Sequence, residues 1–281
     1  MVKNIKRGFF KLLKDSWDEY RINFPAILII FILLSVIPAL ILAYVKIPAI
    51  NFSLDETIAF LQTNKGILYQ TLYLASMFIS ALMSSSLIIL AFSKKVNWKS
   101  AISSGSNFWG KYILLSIILV LLLIIPLIPL VLGLYIYTNL LIYLSILSLI
   151  LYIPGIIFSL YFIFSYYALI SEKKSIIESM KSSFNIIKGK WWKTLGLLIL
   201  LFIALAIISS LFSAIGSLIN KLSGQVSYIE NIVNAQTIKQ QVLTTAGFFI
   251  TLIFSLAASL IAIPLKIFFL KNFYQDMKSK D

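Results

Sequence analysis

Neither cysteine nor histidine occurs anywhere in the 281 residues, and charged side chains make up only 12% of them. Without cysteine there is no disulfide, no thiol nucleophile and no Cys-based metal site. Without histidine the commonest general base at neutral pH is missing, as is any HExxH zinc motif. The sequence also has no GxSxG, no GxxxxGK[ST] phosphate loop and no GxGxxG. These gaps point away from an enzyme, and no cofactor or metal is expected. The remaining candidates for acid–base work are carboxylates: Glu172 and Glu178, and Asp55, Glu56 and Glu230. Two of these have structural uses in the sequence. Ser53-Leu-Asp-Glu56 and Ser175-Ile-Ile-Glu178 both read as capping boxes, in which serine and glutamate satisfy the free N–H groups at a helix start.

What fills the chain instead is apolar. Hydrophobic residues account for 60% of it, and no formal charge appears from Tyr112 to Ser171. Soluble proteins carry roughly 25% charge, so this chain needs a solvent other than water. Six runs are long enough for a hydrocarbon core, which takes roughly 20 helical residues. They fall at about 24–45, 67–92, 112–135, 140–170, 194–219 and 243–270. Continuous apolar runs exclude the alternation of an outer-membrane barrel. The expected fold is therefore all-α: one integral membrane domain over 1–281 with six transmembrane helices. The fourth run is too long for one straight span, and Pro154-Gly155 at its middle predicts a kink. Pro38, Pro126, Pro129 and Pro264 predict further distortions.

Basic residues set the orientation. With both termini cytoplasmic, twenty of the twenty-four Lys and Arg lie inside, and only Lys46, Lys65, Lys221 and Lys239 lie outside. That asymmetry follows the positive-inside rule and accounts for nearly all of the +14 net charge. A nucleic-acid partner is not expected, because no basic groove with interleaved aromatics is present. The first apolar run is too long, and its basic flank too extended, for a cleavable signal peptide, so the first span is read as an anchor. With no organellar address, the expected location is the cell membrane.

Between the fourth and fifth runs, "ISEKKSIIESMKSSFNIIKGKWWKTLG" reads as a helix of about 176–188. Its capping box starts it and Gly189 fits the left-handed position that ends it. Ile176, Met180, Phe184 and Ile187 form a stripe, with Glu178, Lys181, Ser182, Asn185 and Lys188 away from it. A basic amphipathic helix beside a span belongs in the headgroup plane. Its expected partners are membrane lipids, above all anionic headgroups of the cytoplasmic leaflet, contacted by Lys94, Lys95, Lys111, Lys173, Lys174, Lys181, Lys188, Lys190 and Lys193. Trp17, Trp98, Trp109, Trp191 and Trp192 stand where interface anchors belong.

The design recurs. In "KKVNWKSAISSGSNFWGKYILL", Lys94-Lys95 and Gly110-Lys111 align with Lys173-Lys174 and Gly189-Lys190 at a constant offset of 79 residues. This predicts a second interfacial helix at about 96–109. The N-terminal segment 1–23 carries a similar stripe of Ile5, Phe9, Leu12 or Leu13, and Trp17. The pattern suggests three units of interfacial helix, span, loop and span, with a pseudo-threefold arrangement.

The stretch from Ile153 to Leu200 carries Pro154, Gly155, Glu172, Ser179, Ser183, Lys188, Gly189 and Trp192. On these residues the chain resembles the membrane domain of the glycerophosphodiester-phosphodiesterase family and its stand-alone relatives. The resemblance implies a polytopic membrane domain. It does not carry over the hydrolase activity, which in those relatives belongs to a separate soluble barrel with no counterpart segment in this sequence.

The spans hold no ionisable residue except Lys266 near one end, which disfavours proton- or voltage-coupled transport. They do hold small and hydroxylated residues at four-residue spacing: Ser76, Ser80 and Ser84; Ser209, Ser213 and Ser217; Ser255 and Ser259. Such stripes serve close helix packing, or else line a polar cavity for a lipid or small solute. The loop "NKLSGQVSYIENIVNAQTIKQQVL" has Ile229, Ile232 or Val233, Gln236 and Gln240 at helical spacing and predicts a short amphipathic helix. Two functional readings result. One is a non-catalytic scaffold whose basic face holds anionic lipid. The other is a carrier or permease for a lipid-like or small neutral solute, which requires a cavity near Pro154 and Ser84–Ser86.

Overall fold

The computed structural model describes residues 7–46, 61–93, 97–136, 138–233 and 236–279, with backbone alone for 46, 133–136, 138–141, 226–233 and 236–243. Helices α1 (Phe9–Phe31), α2 (Ile37–Lys46), α3 (Asn64–Phe92), α4 (Trp98–Ile124), α5 (Ile128–Ile136), α6 (Thr138–Tyr161), α7 (Ser165–Ser171), α8 (Ile176–Ile187), α9 (Trp191–Leu222) and α10 (Thr245–Lys278) carry almost all of it. Six of its helical stretches are long and apolar enough to cross a membrane: Phe9–Val45, Asn64–Phe92, Trp98–Leu132, Ile142–Ser171, Trp191–Leu222 and Thr245–Lys278. Large apolar side chains such as Ile142, Leu149, Leu211 and Ile253 stand outward on them, more than half exposed. Such patches on a water-soluble chain would drive aggregation; in acyl chains they are the solvated surface. The protein is a multi-pass helical membrane protein.

Five of the six stretches are longer than the runs read from hydropathy. The first stretch has 37 residues, about 55 Å of helix against a core of about 30 Å. The excess lies at the charge-bearing end, Phe9–Arg21. Prolines distort the spans where they leave carbonyls unbonded. Pro38 cannot donate to Leu34, and a π-helical turn at Ile32–Val36 immediately precedes the Ile37-Pro38 step. Pro126 sits in a 3-10 turn at Ile125–Leu127 between α4 and α5.

The fourth span is in two helical pieces. Helix α6 includes Pro154 within its length, and a break follows at Phe162–Phe164. Gly155 has another use: a Cβ there would sit 3.0 Å from the Leu122 carbonyl oxygen, so its absence lets α6 approach the backbone of α4.

The repeat pattern is also realised unevenly. Residues 98–109, predicted as a separate interfacial helix, continue without a break into the span as α4, and Gly110 lies inside that helix. Its counterpart Gly189 has φ +78° and ends α8. Phe9–Tyr20 likewise run straight into the first span. Only 176–187 forms a helix of its own.

The loop after α9 is the clearest correction. In place of a helix, Val226–Val233 (β1) and Gln236–Leu243 (β2) form an antiparallel pair, in register from Val226 opposite Leu243 to Val233 opposite Gln236. Val226, Tyr228, Ile229, Ile232 and Val233 are β-branched or aromatic and favour a pleated surface. Glu230 stands opposite Lys239 in the backbone register.

The chain forms two compact units. Unit 1 comprises 1–22, 84–200 and 267–281, and unit 2 comprises 23–83 and 201–266. Unit 1 has a dense aromatic core in which Phe164, Phe268, Phe269 and Phe273 are fully buried. Phe164 meets Phe273 edge-on at 5.2 Å, and the Tyr167 hydroxyl donates to the Ile267 carbonyl at 3.3 Å. In unit 2, α9 and α10 are joined near the hairpin: the Asn220 amide donates to the Gly247 carbonyl at 3.1 Å and to Thr251 Oγ1 at 3.0 Å.

Candidate functional site: a lysine-lined basin around Glu172

Helix α7 ends at Ser171, and Glu172 caps it with its N–H on the Ala168 carbonyl. Lys173 then adopts a left-handed conformation, φ 53°, which turns the chain sharply towards Ser175. Ser175 starts α8 with the predicted capping box: its N–H donates to Glu178 Oε2 at 3.0 Å, and the Glu178 N–H donates to Ser175 Oγ at 3.4 Å. This turn places Glu172 against α10. Tyr274 and Lys278, one helical turn apart, share a face of that helix. The Tyr274 hydroxyl and the Lys278 ammonium both reach Glu172 Oε1, the latter at 2.7 Å, while Lys174 pairs with Oε2.

Glu172 is thus a saturated carboxylate. Burial alone would raise its pKa. Hydrogen bonds from Lys174, Lys278 and Tyr274, with the Lys278 charge, outweigh burial and hold it at about 2. Glu178 is lowered as well, by hydrogen bonds from the Ser175 backbone and side chain. Neither group is poised to exchange protons near neutrality, where a general acid or base works best.

Around this clamp lies an open basin of about 770 Å³, lined by Lys173, Lys174, Lys181 and Lys278 with Glu172, Glu178, Ser182 and Asn185. Four cations face two anions. Lys174 donates to Ser182 Oγ at 3.1 Å besides its pairing with Glu172. Lys173 and Lys181 are exposed and form no ion pair among the described residues. The basin therefore keeps positive charge and hydrogen-bond donors for an anion.

The wall of the basin, α8, packs differently from the predicted stripe. Its buried residues are Ser179, Ser183, Ile186 and Ile187, while Ile176, Met180 and Phe184 are only partly covered and Ile177 is exposed. Serine lies inward because it has work there. Ser183 Oγ accepts the Phe164 N–H at 3.1 Å and donates to the Tyr161 carbonyl at 2.6 Å. It bridges the helix break between α6 and α7 by serving these two backbone groups.

Of the other predicted lipid contacts, Lys94 and Lys95 lie outside the described residues, as do Asp55 and Glu56. Lys111, Lys188 and Lys193 are exposed, and Lys190 is half-buried; none of them lines the basin. Lys278, which does, was missed, because its place in the basin depends on α10 lying against the α7–α8 turn. The tryptophans sit at helix ends or on exposed faces. Trp17 stacks on Tyr20 at 5.2 Å. Lys99 lies over the Trp98 ring at 5.5 Å. Trp191 and Trp192 stack at 3.9 Å at the start of α9, with Trp192 70% exposed, and Trp109 is also exposed.

Around Ser85 and Ser86 the helices α3 and α4 pack closely. Ser85 and Ser86 are fully buried. Ser85 Oγ donates to the Gly105 carbonyl at 3.2 Å, and a Cβ on Gly105 would come within 2.4 Å of Ser86 Oγ. This is a close helix crossing.

Six membrane-crossing helices with a lysine-lined basin beside a capped surface helix define a class: integral membrane proteins with a basic, hydrogen-bonding face. The family can also be stated. Residues 106–276, more than half of the chain, match the family described as a domain of unknown function, DUF7847, and the protein belongs to that family. Comparison with curated proteins and with solved structures found no match.

Proposed function

We propose that the protein is a non-catalytic, lipid-interacting membrane scaffold whose basin binds the headgroup of an anionic lipid at the cytoplasmic face of the cell membrane. The observation that carries this reading is the pair Lys173 and Lys181, unneutralised beside a glutamate already saturated by three donors. A phosphate would take the two free ammonium groups, with Ser182 and Asn185 as further hydrogen-bond partners. Glu172, fully engaged and ionised, would hold the turn in shape. The positive-inside asymmetry supports the orientation, since anionic lipids of that leaflet attract lysine-rich segments by about 1 kcal/mol per residue. The low pKa of Glu172 supports a non-catalytic role.

Native mass spectrometry of the full chain, extracted with equal phosphatidylglycerol and phosphatidylcholine, tests the reading. The wild type should retain phosphatidylglycerol preferentially, and Lys173→Gln/Lys181→Gln should lose about tenfold of that preference, some 1.4 kcal/mol. Equal retention of the two lipids by the wild type would contradict it.

A further inference from the structure

Unit 2 contains a second polar site, independent of the basin in place and chemistry. Between α9 and α10 lies a cleft of about 650 Å³ into which Ser209, Ser213, Ser217 and Asn220 face Ser255 and Ser259. Four-residue spacing puts the three α9 serines on one side of that helix. Gly216 lets Phe254 close in on α9, since a Cβ at 216 would stand 3.2 Å from that ring.

Serines in membrane helices ordinarily quench their hydroxyls on their own backbone, as Ser76 and Ser159 do here on the carbonyls of Tyr73 and Ile156. The five cleft serines do not: none has a hydrogen-bond partner among the described residues. Asn220 adds a second and separate indication. It lines the cleft, it is only 2% exposed, and its Oδ1 is buried with no partner. The amide cannot be turned to relieve this. Nδ2 already donates to the Gly247 carbonyl and Thr251 Oγ1, and a carbonyl can only accept. An unpaired acceptor among membrane helices calls for a donor from outside the chain.

No charged side chain lines the cleft, while Phe254 and Ala258 do. A net charge brought there would meet no counter-ion. The donor is therefore uncharged, and hydroxyls suit both this acceptor and the serines beside it. We infer that this cleft binds a neutral, hydroxyl-bearing ligand, the headgroup of an uncharged lipid or a free polyol, with one ligand hydroxyl donating to Asn220 Oδ1.

The probe is dioleoylglycerol, offered to the full-length protein in phosphatidylcholine nanodiscs beside its 3-acetyl ester, which lacks the hydroxyl. Retention is read by native mass spectrometry. The free alcohol should be held about tenfold better than the ester, the worth of one hydrogen bond to a buried acceptor. Asn220→Leu should abolish that difference. Because Asn220 also ties α9 to α10, Ser213→Ala/Ser217→Ala, which removes no interhelical bond, should lower retention severalfold on its own. Displacement by millimolar glycerol assigns the site to a free polyol, and its failure assigns the site to a lipid. Equal retention of alcohol and ester, or serine variants that hold the alcohol as well as the wild type does, would overturn the inference.

Discussion

Replacing Glu172 by Gln should lower the thermal midpoint of the detergent-solubilised protein at pH 7 and flatten its dependence on acid. Glu172 is only 15% exposed and holds Lys174, Lys278 and Tyr274 together. A displacement from 4.5 to about 2 corresponds to about 3 kcal/mol between the two protonation states. Both lysines are more than one third exposed and relax into water when the carboxylate goes, so the net loss is about 2 kcal/mol, roughly 5 °C in midpoint. The sign of the acid effect is fixed. Because the folded value lies below the ordinary one, the contribution is complete above about pH 4.5. It declines as pH falls from there, and it is gone below about 2. Wild type should therefore lose stability between pH 5 and 3 by more than Glu172→Gln does. Parallel midpoint curves for the two proteins would show that the clamp contributes nothing.

The second large effect belongs to Ser183. Ser183→Ala deprives a buried N–H and a partly buried C=O of their partner at the break between α6 and α7. Each such group costs about 1–3 kcal/mol when left unpaired, so a loss of about 2–4 kcal/mol is expected. Ser106→Ala is the control. That exposed serine bonds only to the Ser103 carbonyl of its own helix and should change stability by less than about 0.5 kcal/mol. Hydrogen exchange localises the effect, with faster exchange at Phe164 in Ser183→Ala alone. Unchanged protection at that amide would mean the serine bridge is not holding the break.

These two residues mark how far the sequence could be read. The six spans were legible because sixty consecutive residues can lack charge only in a bilayer, and the capping box and Gly189 were legible because both are local chemistry. The helix break was not. In the sequence Pro154 marks a kink, and it lies within α6, but "YFIFSYY" has neither proline nor glycine to announce an interruption. What stabilises the break is Ser183, twenty residues away. A serine on the apparently polar side of an amphipathic helix looks like surface until its tertiary partner is known.

The hairpin after α9 was misread for a different reason. Its apolar residues fit the helical period and the strand period about equally over so short a segment, and the preference of valine, isoleucine and tyrosine for strands decided the outcome. The cleft was half visible. The serine stripes stood out at four-residue spacing and read most simply as packing surfaces. Asn220, the polar residue that makes them a site, lay one position beyond the predicted end of the fifth span. The helix continues to Leu222, and those added residues bring its amide into the cleft.

Everything proposed for the basin depends on the lysine-rich segments sharing the cytoplasmic side. The chain has no native cysteine, so single introduced thiols report accessibility without background. Asn185→Cys should resist an impermeant maleimide in intact cells and react once they are permeabilised, while Ser227→Cys should react in both. Labelling of Asn185→Cys from outside sealed cells would contradict the orientation and the lipid-binding role built on it.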